Sequence, residues 1–300
     1  MAHHGRNHGT SLPTRLRAQL PATTMTVINR NNCGWRASSL RSKIQSMKRT
    51  SFLLGNAAVA SAATLTYSKG VPGMASTGSG VNIVLVHGAW SDGTGWIKVI
   101  PILQAAGHNV VAVQNQMAGL PGDAANTRAV IDAMHGPTVV VGHSYGGAVV
   151  TSAAHGAPNV KALVYVAAFA PDEGEALGGF PQAPGDKFVA PGAGGLLYID
   201  RAKFPEYFAG DVVASEAATL AAVQRPVAGA IFGDKMGPPA WKSIKSWYQV
   251  SEDDKMIPPE LEKMFASRAK ATTISLAASH ASLVSRPKEV AELILVAARS

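Results

Sequence analysis

Val139-Val140-Val141-Gly142-His143-Ser144-Tyr145-Gly146-Gly147 runs a β-branched segment into a Gly-x-Ser-x-Gly turn, and the helical pattern Ala148 to Ala154 follows at once. A serine hydroxyl becomes a usable nucleophile when a sharp strand-to-helix turn pushes it outward, and glycines two residues to either side let that turn close without a Cβ clash. Ser144 is therefore the candidate nucleophile. The five-residue pattern is weak by itself; the strand before it and the helix after it give it weight.

The same alternation extends in both directions. Val81 to Val86 reads as a buried strand, Trp96 to Ala106 as a helix, Val110 to Val113 as a strand, Ala124 to Met134 as a helix, and Ala162 to Ala168 as the strand after the nucleophile's helix. From Pro171 a Gly/Pro-rich stretch with scattered aromatics and short helical patterns runs to about Pro239. Strand Trp247 to Val250, helix Pro258 to Ala269, strand Thr272 to Leu276 and helix Pro287 to Ala298 then resume the pattern. Apolar strands alternating with helices imply an α/β fold: a mostly parallel sheet covered on both faces, interrupted by an insertion over about residues 171–240.

Composition bounds the function classes. The 300 residues are 47% hydrophobic and 15% charged, which describes a chain able to bury a sizeable core. The net charge of +8 is local: of 27 Lys and Arg, nine lie in residues 1–50, where there is no acid, leaving 18 basic against 19 acidic residues beyond. The remainder is near neutral, so nucleic-acid binding loses its sequence support. Met47-Lys48-Arg49 and the apolar run Phe52 to Leu65 have the n-region and h-region of a signal peptide, too short for a stable membrane span. Residues 1–46 then form a disordered basic head or an over-extended start, and 47–80 a signal segment and linker ahead of the domain 81–300. The expectation is an exported protein, with a cytoplasmic one bearing a basic tail as the alternative. Cys33, the only cysteine, lies in this leader, so the domain has no disulfide framework and no thiolate metal site.

A serine nucleophile needs a base, and the base needs a carboxylate to hold its tautomer. On such a sheet the chain order is serine, acid, histidine. After Ser144 only His155 and His280 remain. His155 ends the nucleophile's own helix, pointing away from the turn, which leaves His280, in the loop after strand Thr272 to Leu276. The acid belongs to the loop after the preceding strand, where Glu252, Asp253 and Asp254 compete. Asp254 is favoured because it precedes the helix start at Ile257-Pro258 by one turn; Asp253 is held in reserve, and Glu252 and Asp253 suit complementing the helix N-terminus. Oxyanion donors are expected from the backbone N–H of Tyr145 and, in the loop His87-Gly88-Ala89-Trp90, of Ala89. His143 reads as a packing and hydrogen-bonding residue of the turn.

Other chemistries lack their motifs. There is no Gly-x-x-x-x-Gly-Lys-Ser/Thr loop, His-Glu-x-x-His helix or Cys-x-x-Cys pair, and Gly78-Ser79-Gly80 precedes its strand instead of following it. His108, His135 and His155 read as solvated.

Taken together, Val86-His87-Gly88-Ala89-Trp90, Gly142 to Gly147, Asp254-Lys255-Met256-Ile257-Pro258 and Ser279-His280 resemble the α/β-hydrolase superfamily over about residues 81–300. Within it the chain is similar to the small esterase branch that includes plant methylesterases and hydroxynitrile lyases, and most to that branch's bacterial hydrolases. The resemblance implies an eight-stranded sheet or a trimmed version, a helical cap, and a triad of Ser144, Asp254 and His280 with Ala89 and Tyr145 at the oxyanion hole. It also implies no metal and no organic cofactor. Ala281 stands where the lyases of the branch carry a lysine, which disfavours lyase chemistry.

The expected activity is hydrolysis of carboxylic esters through an acyl-enzyme, with a small-molecule ester as the substrate partner. A non-catalytic or weakly catalytic binding protein and a cofactor-free lyase on the same fold are the alternatives. Phe180, Phe188, Tyr198, Phe204, Tyr207, Phe208, Phe232 and Trp241 lie within or beside the insertion, mostly as packing, and the rest as an apolar lining suited to uncharged esters of modest size. Trp90 and Trp96 form an acyl-side wall or anchor the oxyanion loop. No oligomeric state follows from the pattern.

Overall fold

The computed structural model describes Met1 and residues 80–300. The expected head, signal segment and all but the last residue of the linker lie outside the described residues. Strand β1 (Asn82–Val86) leads through a 3-10 turn to helix α1 (Ile100–Ala105), then to β2 (Asn109–Val113), α2 (Leu120–Asp132), β3 (Thr138–Ser144), α3 (Tyr145–Ala153) and β4 (Val160–Ala168). The insertion carries β5 (Val189–Pro191), β6 (Leu197–Ile199), α4 (Phe204–Tyr207), α5 (Ala214–Val223) and α6 (Ala230–Gly233). The core resumes with β7 (Ser246–Ser251), α7 (Pro259–Arg268), β8 (Thr272–Leu276), α8 (Ser282–Ser285) and α9 (Pro287–Arg299).

Six strands form one parallel sheet in the order β2-β1-β3-β4-β7-β8. Among the described residues this is the trimmed version of the eight-stranded arrangement. Strands β1 and β3 are buried along their whole length, as continuous apolar runs covered on both faces must be, whereas edge strand β8 exposes Thr272, Thr273 and Ser275. Helix α3 buries eight of its nine residues, and α9 turns Val290, Leu293, Ile294 and Ala297 inward. Each such large side chain, fully removed from water, contributes about 1.5–3 kcal/mol.

The element boundaries depart from the sequence expectation in three places, each for a local reason. The helix expected over 96–106 splits into a 3-10 turn at Gly93–Trp96 and α1, where Pro101 sits in the first turn and needs no N–H partner. Helix α2 starts at Leu120 instead of Ala124, with Pro121 again in the first helical turn. Between the short helices of the insertion lies an antiparallel hairpin, β5 with β6, and β6 also bridges to Val227 through Leu197. Gly194 and Gly195, with φ of 69° and 72°, let the chain reverse between the two strands.

Topology places the site. The order of the sheet reverses between β1 and β3, which run side by side with Val86 paired to Gly142. The loops leaving their carboxyl ends must therefore diverge and leave a crevice, the usual ligand position on an open α/β sheet. Among the described residues no helix is long and apolar enough to cross a membrane.

Candidate active site

Ser144 closes β3 with φ 53° and ψ −125°, a left-handed backbone that costs a non-glycine residue about 1–3 kcal/mol. The surroundings enforce it. A Cβ at Gly146 would sit 2.5 Å from the Val86 carbonyl oxygen, and one at Gly142 would sit 2.5 Å from that of Gly146. Glycine at both positions therefore lets α3 pack close beneath the turn and hold the serine at the top of the sheet.

The structure brings three distant side chains together. Ser144 Oγ lies 2.9 Å from His280 Nε2, and His280 Nδ1 lies 2.6 Å from Asp254 Oδ2. All three residues are buried. An ionised carboxylate only accepts, so Nδ1 carries the proton and Nε2 presents its lone pair to the serine hydroxyl. The other oxygen of Asp254 accepts from the amides of Met256 (2.6 Å) and Ile257 (2.9 Å), which fixes the carboxylate in the turn before α7.

The competing acids are elsewhere. Asp253 is exposed and its carboxylate makes no hydrogen bond to a described residue, while Glu252 pairs with Lys263 on α7 at 2.9 Å. Of the three acids it is Asp254, not Glu252 or Asp253, that meets the backbone amides ahead of α7. His155 is exposed past the end of α3, its carbonyl accepting from Arg128.

Ala89 and Tyr145 both border the cavity that contains Ser144, and the Ala89 N–H donates to no described acceptor. Tyr145 opens α3, where the first amides of a helix have no intrahelical partner. The loop carrying Ala89 is braced by His87. Its Nε2 accepts from the Asn115 amide at 3.1 Å, so its Nδ1 carries the proton, facing the Gly88 carbonyl at 3.0 Å. Burial lowers the pKa of His87, consistent with this neutral form.

Four supporting residues escape a reading of the sequence. The Tyr145 phenol donates to buried Asp123 at 2.9 Å, and burial followed by the Asp123 charge raises its pKa strongly, so it stays a donor. Asp211, on the insertion, accepts from Ser279 Oγ at 2.5 Å, next to His280. Glu262 on α7 accepts from the Ser251 amide at 3.0 Å through one oxygen. Burial first, and then the charge of Asp254, hold the Glu262 carboxyl well above the usual range, so it is a neutral acid. Asp186 borders the cavity itself. The contacts of Asp123 and Asp211 span 22 and 68 residues, whereas the helical position of Glu262, on the inward face with Leu261 and Phe265, carries a local signal.

The cavity above Ser144 holds about 290 Å³ and is mostly apolar, with Phe169, Phe180, Phe232, Leu177, Leu197 and Leu261 among its walls. Of the insertion aromatics, Phe180 and Phe232 line it, whereas Phe208 packs edge-on against the other side of His280 at 4.8 Å. Trp90 is both wall and anchor: it borders the cavity, stacks on Phe232 at 5.7 Å, and donates to the Leu197 carbonyl at 3.2 Å. Trp96 is a core residue, edge-on to His143.

Residues 83–293 match the description "Alpha/beta hydrolase family". The chain belongs to the alpha/beta hydrolase family. It is similar to a carbendazim hydrolyzing esterase of Nocardioides sp. (strain SG-4G), with 37% identity over 109 residues, 32% of this chain and 45% of that one. It is also similar to an alpha-hydroxynitrile lyase of Arabidopsis thaliana, 31% identical over 105 residues, 30% of this chain and 41% of that one. The chain thus matches less than half the length of these two curated relatives. Among solved structures, a pyrethroid hydrolase from Sphingobium faniae JZ-2 superposes with a TM-score of 0.63 at 23% identity, covering 73% of this chain and 98% of that one, a likeness of fold.

Proposed function

We propose that the protein hydrolyses carboxylic esters of small to medium, largely apolar substrates through a covalent acyl-enzyme. The observation that supports it most is the chain of contacts from Ser144 Oγ to His280 Nε2 and from His280 Nδ1 to Asp254 Oδ2, at the floor of an apolar cavity. In this reading His280 takes the Ser144 proton as the oxygen attacks the ester carbonyl, and Asp254 stabilises the imidazolium. The amides of Ala89 and Tyr145 receive the oxyanion. Collapse of the tetrahedral adduct expels the alcohol, which takes its proton from His280. Water, deprotonated by the same imidazole, then releases the acid. The name of the esterase relative points the same way.

One relative's name raises lyase chemistry. The residue after His280 is buried Ala281, which offers no cation to a cyanide leaving group.

Ser144→Ala should abolish turnover of a short-chain 4-nitrophenyl ester while leaving the circular dichroism spectrum unchanged, and wild type should be labelled by a fluorophosphonate. Full activity in the variant refutes the nucleophile; an unlabelled, inactive wild type favours a binding protein that keeps the fold.

A further inference from the structure

Among the described residues around the 290 Å³ cavity, Asp186 is the only carboxylate, and none is a lysine, arginine or histidine. Its position is built. The Gly185 amide donates to the Lys255 carbonyl at 2.8 Å, beside Asp254, and a Cβ at Gly185 would meet the Met256 sulfur at 2.4 Å. The turn is closed again by Asp186 itself: its amide donates to the Ala183 carbonyl at 3.1 Å, and its Oδ2 accepts from the Ala183 amide at 2.8 Å. This commits one carboxylate oxygen and leaves Oδ1 without a described donor.

Nor is the charge neutralised nearby. Asp186 makes no ion pair with a described residue. The ammonium of its neighbour Lys187 lies 5.0 Å from the centre of the Phe188 ring, and that of Lys255 lies 5.3 Å from the centre of the Tyr207 ring. Burial raises the Asp186 carboxyl from its ordinary value, the mark of a group partly withdrawn from water, where an opposite charge counts for more.

We infer that Asp186 is a specificity-determining residue that makes this cavity favour ligands bearing a cationic or N–H donor group and disfavour anionic ones. The turnover half of this inference rests on the ester-hydrolase reading; the binding half does not. A donor that reaches Oδ1 while its apolar part fills the space between Phe180, Phe232 and Leu261 satisfies the free oxygen, whereas a carboxylate in the same place faces a like charge without a cation to offset it. A charged hydrogen bond of this kind is worth about ten- to hundredfold in affinity.

The test compares wild type with Asp186→Asn, which keeps the acceptor for the Ala183 amide. Equilibrium binding of benzylammonium, phenylacetate and neutral benzyl alcohol is measured by calorimetry. The ammonium ligand should lose at least about tenfold in the variant, phenylacetate should gain, and benzyl alcohol should stay within about threefold, which also shows that the cavity is intact. In parallel, kcat/KM for cationic, neutral and anionic 4-nitrophenyl esters of matched length should show the same reordering. Identical ammonium-to-phenylacetate selectivity in the two proteins overturns the inference. Charge-selective binding without turnover of any ester sinks the hydrolase reading instead and leaves the role of Asp186 standing.

Discussion

His143 Nε2 and the His280 carbonyl oxygen lie 2.9 Å apart, so the residue beside Ser144 holds the backbone of the histidine that faces Ser144. A carbonyl only accepts, so Nε2 carries the proton. Burial, and then the neighbouring His280, keep the His143 pKa well below its usual value and the ring neutral. His143→Phe keeps a ring against Trp96 and Phe208 but leaves the buried carbonyl without its donor, at a cost of about 1–3 kcal/mol. A positioning role predicts a fall in kcat of about tenfold with KM within about threefold, since a factor of ten in rate corresponds to about 1.4 kcal/mol. Equal kcat in the two proteins, with only a lower melting temperature, would reduce His143 to packing.

The choice between two adjacent acids is equally open to measurement. Asp254→Asn removes the acceptor for His280 Nδ1 and favours the wrong tautomer, for which a loss of about 10³–10⁴ in kcat is expected. Asp253→Asn, on an exposed side chain, should stay within about twofold. Steady-state rates on one ester decide it, and the reverse order would move the acid's role to Asp253.

The juxtaposition of Ser144, Asp254 and His280 was legible because Ser144 ends buried β3, Asp254 follows buried β7 and His280 follows the edge strand β8, and because only two histidines follow Ser144. Element order along the sheet followed from the same runs. What holds the site was not legible. The contact of His143 with His280 spans 137 residues, that of Asp211 with Ser279 spans 68, and neither leaves a periodic trace. The β5–β6 hairpin was hidden for another reason: its strands have three residues each, one of them Pro191, and are held by the Gly194-Gly195 reversal and by Val227 more than by any alternation of their own.

Trp90 ties the loop carrying Ala89 to the insertion and borders both the main cavity and a second void of about 20 Å³ that His143 also borders. Its own backbone is left-handed, with φ 57°. Trp90→Phe loses only the bond to the Leu197 carbonyl, and kcat/KM should fall about two- to tenfold. Trp90→Ala should merge the two spaces, destabilise the fold by about 3–5 kcal/mol, and raise the ratio of octanoate to acetate ester turnover at least about fivefold. A chain-length profile from two to eight carbons that is unchanged in Trp90→Ala would remove Trp90 from the substrate wall.

Glu262 gives the alkaline side of stability a specific cause. In the unfolded chain it ionises near the ordinary glutamate value of about 4.3, whereas in the fold burial and the charge of Asp254 keep it protonated to well above that. The folded state therefore binds the extra proton between those two values, and its stability falls as pH rises through that window. His87 and His143 act on the opposite side: both are held neutral by burial, so the unfolded chain takes up their protons first and stability falls as pH drops below about 6.5. Glu262→Gln keeps an oxygen to accept from the Ser251 amide and has no proton to lose. It should be more stable than wild type at pH 8 by at least about 1 kcal/mol, because a tenfold change in proton affinity on folding corresponds to about 1.4 kcal/mol, and the advantage should shrink as pH falls toward 4.3. Urea unfolding at a series of pH values reads this directly: a difference between the two proteins that does not change with pH would mean that Glu262 is ionised in the fold like any surface glutamate.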